Sequence, residues 1–268
     1  MESDMYDQNT ITEAVHTKWA GKTVHFVKET DSTNEWAKQL SRQGAPHGTL
    51  AAAEFQSAGK GRLGRIWKAP EGSSVMMSLL LRPSFEPQYA SMLTLVMGLS
   101  AARAIGDSGI DVSIKWPNDI VASGRKLCGI LTEMGLENGK IREVVVGVGI
   151  NVNTESFPEE LSDKATSMYL ETGKYTDRNR LIAGVLENFE QYYEKFVRTC
   201  DLGDMLEDYN RLLANRDRPV RILDRQNPFE GTALGISSTG GLLVRTETGE
   251  IREVRGGEVS VRGLYSYV

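Results

Sequence analysis

A chain of 268 residues that is 40% hydrophobic can bury a substantial core, as one large domain or as a large one with a small companion. Its formal net charge of −5 argues against broad electrostatic attachment to nucleic acid or to an anionic membrane, so any basic site is local. No apolar run approaches the roughly 20 residues of a membrane span, the N-terminal MESDMYDQNT is acidic where a signal peptide is basic, and Cys128 and Cys200 lack a CxxC partner, so a cytoplasmic protein with reduced, structural thiols is expected.

In chain order, the first strand is expected over 23–29 (TVHFVKE). Asp31 and Ser32 then offer N-caps, and Glu35 completes a capping-box pattern with Ser32 ahead of Trp36, Ala37 and Leu40, so a helix begins here. Strands follow over 49–55 and 74–81, then an apolar helix over 89–105 that stops near Gly106 and Gly109. Alternating runs predict strands over 110–115, 120–122, 127–134 and 143–153, with Ser123-Gly124 as a hairpin turn. From 177 to 200 one apolar stripe (Leu181, Ile182, Val185, Leu186, Phe189, Tyr193, Phe196, Val197) marks a long helix, and a second helix is expected over 202–213. After Asn215 the pattern changes to short runs over 219–223, 230–236, 242–246, 251–254 and 258–261, split by Gly, Asn and Ser. The expected fold class is α+β, a mixed β-sheet flanked by helices over residues 1–216, with a small all-β domain over 217–268.

The segment EFQSAGKGRLGR, ending at Arg65, sets three glycines and three cations within seven residues. Gly59, Gly61 and Gly64 satisfy a bare GxGxxG spacing, but Pro70, Gly72 and two serines oppose the helix that a dinucleotide fold requires there. Arg65-Ile66 is not the Lys-Ser or Lys-Thr pair of a P-loop, and no HRD or DFG triplet completes a kinase. What remains is a backbone that a ligand can approach closely and cations suited to carboxylate or phosphate, against the alternative of a solvated turn. Trp67 shifts the balance toward a site, since its face offers stacking for a base or another flat ring.

Three further clusters stand out. In KWPND, Lys115, Asn118 and Asp119 project polar groups from a strand end, or form a plain turn with Trp116 packed inward. Lys126 opens the strand RKLCGIL and either snorkels to solvent or enters the cleft of the glycine loop. GVGINVN, ending at Asn153, alternates so that Val148, Ile150 and Val152 face one way and Gly147, Gly149, Asn151 and Asn153 the other. A bare face of this kind accepts either a ligand or a closely packed neighbouring element. His16, His25 and His47 show no metal-ligand spacing and no hydrolase motif, so no protein-held metal is expected.

The ordered set DSTN (from Asp31), EFQSAGKGRLGR, KWPND, RKLCGIL and GVGINVN resembles the biotin protein ligases, over roughly residues 23–153. The β-rich tail is similar to the family's small SH3-like domain. The resemblance implies a class II synthetase-like catalytic domain that activates biotin with ATP and transfers it to a lysine of a biotin carboxyl carrier protein. It implies that Ser32, Thr33, Asn34, Gln56, Lys60, Gly61, Arg62, Lys126 and Gly129 line the biotin site, and that Arg62, Arg65, Trp67, Lys115, Asn118 and Asn151 surround ATP. The loop departs from the usual GRGRxGR, because Lys60 replaces the first arginine and forfeits the planar fork. The resemblance also implies a short form without the N-terminal DNA-binding domain that some members carry, no nucleic-acid or membrane partner, and a family in which homodimers are common.

Both reactants are anionic, and two unit charges at ~4 Å repel by roughly 4 kcal/mol at an effective dielectric of about 20. Lys126, Arg62 and the Mg2+ carried by ATP are expected to offset this, the loop to close over biotinyl-5′-AMP, and Asp119 is the candidate base for the acceptor lysine. The rivals are a lipoate ligase or lipoyl/octanoyl transferase of the same fold, and a non-enzymatic biotin or nucleotide sensor.

Overall fold

The computed structural model describes residues 5–223, 227–255 and 260–263. Seven strands form the main sheet: β1 (Val24–Thr30), β2 (Thr49–Gln56), β3 (Ser74–Leu81), β4 (Val112–Lys115), β5 (Asp119–Ala122), β6 (Arg125–Glu137) and β7 (Lys140–Asn151). They lie in the order β1-β2-β3-β7-β6-β5-β4. β1 and β2 are parallel, joined through α2 (Thr33–Arg42), and every other neighbouring pair is antiparallel. The hairpin between β5 and β6 turns through Ser123 (φ 49°) and Gly124 (φ 73°), both in the left-handed region that a tight two-residue turn requires.

The sheet has two unlike faces. On one, Leu50, Ala52, Val75, Met77, Leu79, Val146, Val148 and Ile150 belong to the main core together with α3 (Leu93–Gly106) and α6 (Arg178–Thr199). The helical stretch Pro87–Gly106 is the one among the described residues long and apolar enough to cross a membrane, and it is mostly buried, packed against α6. The other face carries only a small apolar cluster, in which Ala37 and Leu40 of α2 cover Ala51, Leu80 and Val145. Among the described residues α2 is the helix that contributes to this cluster, and the candidate site lies beyond its N-terminus.

Three expectations are corrected. A helix absent from the sequence reading, α1 (Gln8–Ala14), is capped by Asp7, which accepts from the amides of Asn9 and Thr10, and it buries Ile11. Val197 is 39% exposed and leaves the α6 stripe. The apolar helix over 89–105 begins as 3-10 turns at Pro87–Met92 before it becomes α3. Two short helices, α4 (Glu159–Ser162) and α5 (Met168–Thr172), precede α6.

After α7 (Leu206–Leu212) comes a five-stranded antiparallel sheet of β8 (Pro219–Leu223), β9 (Phe229–Ile236), β10 (Leu242–Arg245), β11 (Ile251–Val254) and β12 (Ser260–Gly263), in the order β11-β10-β9-β8-β12. It joins the larger unit where Trp116, 2% exposed, donates its indole N–H to the Gly240 carbonyl at 3.0 Å.

Candidate active site

The floor of the site follows from strand register. Gly129 of β6 pairs directly with Gly149 of β7, and Gly147 lies two residues along the same face of β7. A Cβ on Gly147 would stand 2.1 Å from Asn34 Oδ1, and one on Gly149 would stand 2.6 Å from Trp67 Cε2. Of the two uses open to a bare strand face, the close neighbour is what the structure shows: Asn34 and the indole of Trp67 lie on glycine because no other residue leaves them room.

α2 presents its first turn to this floor. The expected capping box does not form, for the Ser32 side chain makes no cap hydrogen bond and Glu35 is drawn away by two lysines. Instead Gln56 Oε1, from the end of β2, accepts from the Thr33 amide at 2.7 Å and from its hydroxyl at 3.0 Å. Ser78 donates to Asn34 Oδ1 at 2.6 Å, and Asn34 Nδ2 donates to Glu133 Oε2 at 2.7 Å and to the Leu131 carbonyl at 3.2 Å. These bonds fix the orientation of a side chain that is 4% exposed.

The glycine loop folds as a small hairpin. Gly61 donates to the Arg65 carbonyl at 2.7 Å and Trp67 to the Gly59 carbonyl at 2.9 Å, with Leu63 (φ 59°) and Gly64 (φ 72°) turning the tip. A side chain on Gly59 would meet the Trp67 carbonyl at 2.5 Å, so glycine is required there by close approach. Arg62 lies over the floor with Nη1 3.4 Å from Asn118 Oδ1. Burial draws its guanidinium below its ordinary value and the charge of Asp119 opposes that shift, so it remains a cation.

Lys126 is placed by its backbone as well as by its charge. Its amide donates to the Lys164 carbonyl and its carbonyl accepts from Thr166, a strand-like bridge to 164–166. Its ammonium lies 2.7 Å from Asp119 Oδ1, which also accepts from Asn118 Nδ2 at 3.1 Å, and 5.8 Å from the Trp67 ring centroid. Cys128, two residues on, points into the opposite core, where burial pushes its thiol up.

Of the cavities that open on these residues, two hold the expected positions. The first, about 50 Å3, is lined by Ser32, Thr33, Asn34, Gln56, Lys60, Gly61, Arg62, Lys126 and Gly129, all nine positions expected around biotin. It is small because the Trp67 indole rests on Gly129 and Gly149, with its N–H buried and without a partner. The second, about 400 Å3, is lined by Arg62, Arg65, Trp67, Lys115, Asn118 and Asn151, all six positions expected around ATP, and by Asp119. Phe157, Leu161, Lys164 and Ala165 also line it, and sequence reasoning missed them.

The profile described as the biotin/lipoate A/B protein ligase family matches residues 26–151, and that of the biotin protein ligase C-terminal domain matches residues 217–262. Over 247 residues the chain is 37% identical to the bifunctional ligase/repressor BirA of Bacillus spizizenii, covering 90% of this chain and 75% of that protein. The chain belongs to the biotin protein ligase family. It is also 37% identical over 171 residues to the biotin--[acetyl-CoA-carboxylase] ligase of Mycobacterium tuberculosis, 61% of each chain. Among solved structures it is similar to the biotin protein ligase of Aquifex aeolicus in complex with biotin and ATP, with a TM-score of 0.79 and 34% identity over 90% of this chain and 99% of that one. In this ligase Arg62 and Lys126 are the two cations that line both cavities, and the glycine floor beneath them carries no charge.

Proposed function

We infer that this ligase joins biotin to the α-phosphate of ATP and passes the biotinyl group to a lysine of a biotin carboxyl carrier protein. The observation that carries this is the meeting of a small glycine-floored cavity with a larger cation-lined one at Lys126 and Arg62. Biotin's ring system would lie on Gly129, Gly147 and Gly149 once the Trp67 indole turns aside, with Thr33, Asn34 and Gln56 as its polar partners. The nucleotide would fill the larger cavity beside Lys115, Asn118, Asn151 and Trp67, bringing Mg2+ with it as part of the substrate.

A carboxylate oxygen of biotin attacks the α-phosphorus and pyrophosphate leaves with the P–O bond electrons. Lys126 and Arg62 stabilise the negative charge that both reactants bring to one place, and positioning supplies much of the remaining acceleration. The product, biotinyl-5′-AMP, is a mixed anhydride, and the loop carrying Lys60, Gly61, Arg62 and Arg65 excludes water from it. The acceptor amine then attacks the acyl carbon and AMP leaves. Asp119, near both groups, is the proposed acceptor of the amine's proton, a task for which its carboxylate must exchange the Lys126 ammonium. In the division of labour we propose, residues 1–216 carry this chemistry and 217–268 form the companion domain, linked through the Trp116 to Gly240 bond.

The match of residues 217–262 to the biotin protein ligase C-terminal domain favours biotin over lipoate. The test is pyrophosphate release from ATP with biotin or lipoate, followed by transfer of labelled biotin to a carrier domain. Biotin alone should drive both steps; release driven equally by lipoate, or binding without transfer, overturns the reading.

A further inference from the structure

The polar network beneath the loop extends beyond the residues so far given a task. Lys60 Nζ lies 2.6 Å from Glu35 Oε1, and the same oxygen accepts from Lys38 Nζ at 3.0 Å. Lys38 also meets Glu133 Oε1 at 2.7 Å, and Glu133 holds Asn34 through its other oxygen. Charges alternate along Lys60, Glu35, Lys38 and Glu133, so the chain of pairs is neutral as a whole. One end is a buried amide on the pocket floor and the other is the glycine loop.

Lys60 is the single residue of the loop that an α2 side chain grips among the described contacts, and its backbone is bridged to Ile66 across the hairpin. Fixing its ammonium therefore fixes both arms. The Lys60 ammonium and then that of Lys38 hold the Glu35 carboxyl below its usual range, so it is ionised whenever the loop is down.

We propose that Glu35 is a positioning residue that latches the glycine loop over the site by holding Lys60 against the first turn of α2. This rests on the proposed function for the identity of the sheltered intermediate, while the latch itself concerns the loop. In this chain Lys60, standing where the family pattern has arginine, spends one of its three donors on Glu35 while its side chain still lines the pocket. The pair is partly exposed, 49% for the Lys60 side chain and 28% for that of Glu35, which suits a catch that must open each turnover.

The test compares wild type with Glu35→Gln, Glu35→Asp, Lys60→Gln and the double variant Glu35→Gln/Lys60→Gln. Two readouts are used: tryptic cleavage after Arg62 and Arg65 in ligand-free protein, and the dissociation rate of biotinyl-5′-AMP formed in a single turnover. Glu35→Gln should speed both by about two- to fivefold, the range of one exposed ion pair, with adenylate formation and thermal midpoint unchanged. The gain should vanish when Lys60→Gln is already present, shrink in ~1 M salt, and be partly reversed in Glu35→Asp. Equal rates in wild type and Glu35→Gln, or the same acceleration without Lys60, overturn the latch. If wild type forms no adenylate, the proposed function fails, and the cleavage readout still decides the latch.

Discussion

Lys126→Ala tests the electrostatic core of the mechanism. Its ammonium lies 2.7 Å from Asp119, which is 7% exposed, and both line the cavity expected to hold the reacting phosphate. A unit charge at ~4 Å contributes roughly 4 kcal/mol at an effective dielectric of about 20, near a thousandfold in rate, and about 1 kcal/mol if the site were as polarisable as water. The cavity is partly enclosed, so a loss of about 10²- to 10³-fold in adenylate formation is expected. The substitution also strips Asp119 of its counter-ion and leaves a carboxylate facing two anionic reactants. The double variant Lys126→Ala/Asp119→Asn should therefore regain part of the adenylation rate, although it loses the base proposed for transfer. The assay is single-turnover pyrophosphate release with biotin and ATP, beside thermal melting to establish that the fold persists. Release by Lys126→Ala within about tenfold of wild type, or a double variant slower than the single, would refute the charge argument.

Arg62→Gly should weaken the loop's hold on the intermediate, so that biotinyl-5′-AMP escapes and labels bystander lysines; retention as tight as wild type, followed by labelled biotin in the filtrate, contradicts this. In Gly147→Ala the new Cβ, 2.1 Å from Asn34 Oδ1, must displace Asn34 from Ser78, Leu131 and Glu133. Loss of those bonds should cost about 2–4 kcal/mol of stability and raise the KM for biotin at least tenfold while that for ATP stays within threefold, as read by denaturant unfolding and steady-state kinetics. His47, half-buried between Trp19 and Tyr193, accepts from the Arg82 amide through Nδ1 at 2.9 Å, and burial then the Arg82 charge lower its pKa below 6.5. The unfolded chain thus binds more protons near that pH, so this contribution is present above about pH 6.5 and is lost as pH falls through the depressed folded-state value. Wild type should lose more stability than His47→Asn between pH 7.5 and 5.5, and equal losses would remove His47 from the pH response.

Much of the site was legible because strand periodicity is a geometric rule. The alternation of Gly147 and Gly149 with Val148 and Ile150 assigned one face to the core and left the other bare, as the register through Met76, Ser78 and Gly129 shows. The cations of the loop were likewise visible as a local excess in an acidic chain. What escaped depends on partners distant in sequence. The capping box at Ser32 and Glu35 is a valid local signal, but Gln56 supplies the cap and Lys60 takes the glutamate, and neither competitor lies within the helix. Residues 157–165 gave no signal, since the four-residue helix α4 carries little periodicity and the segment is held at the larger cavity by backbone pairing with Lys126. The helix α1 could have been found, for Asp7 and Thr10 spell its cap.

The most direct measurement is a single turnover of purified protein with radiolabelled biotin, ATP and Mg2+, quenched and resolved for enzyme-bound biotinyl-5′-AMP. Gathered positive charge above an uncharged glycine floor predicts near-stoichiometric intermediate that moves to a carrier lysine when the carrier domain is added. Bound biotin that never becomes an acyl-adenylate, with no pyrophosphate formed, would contradict the account.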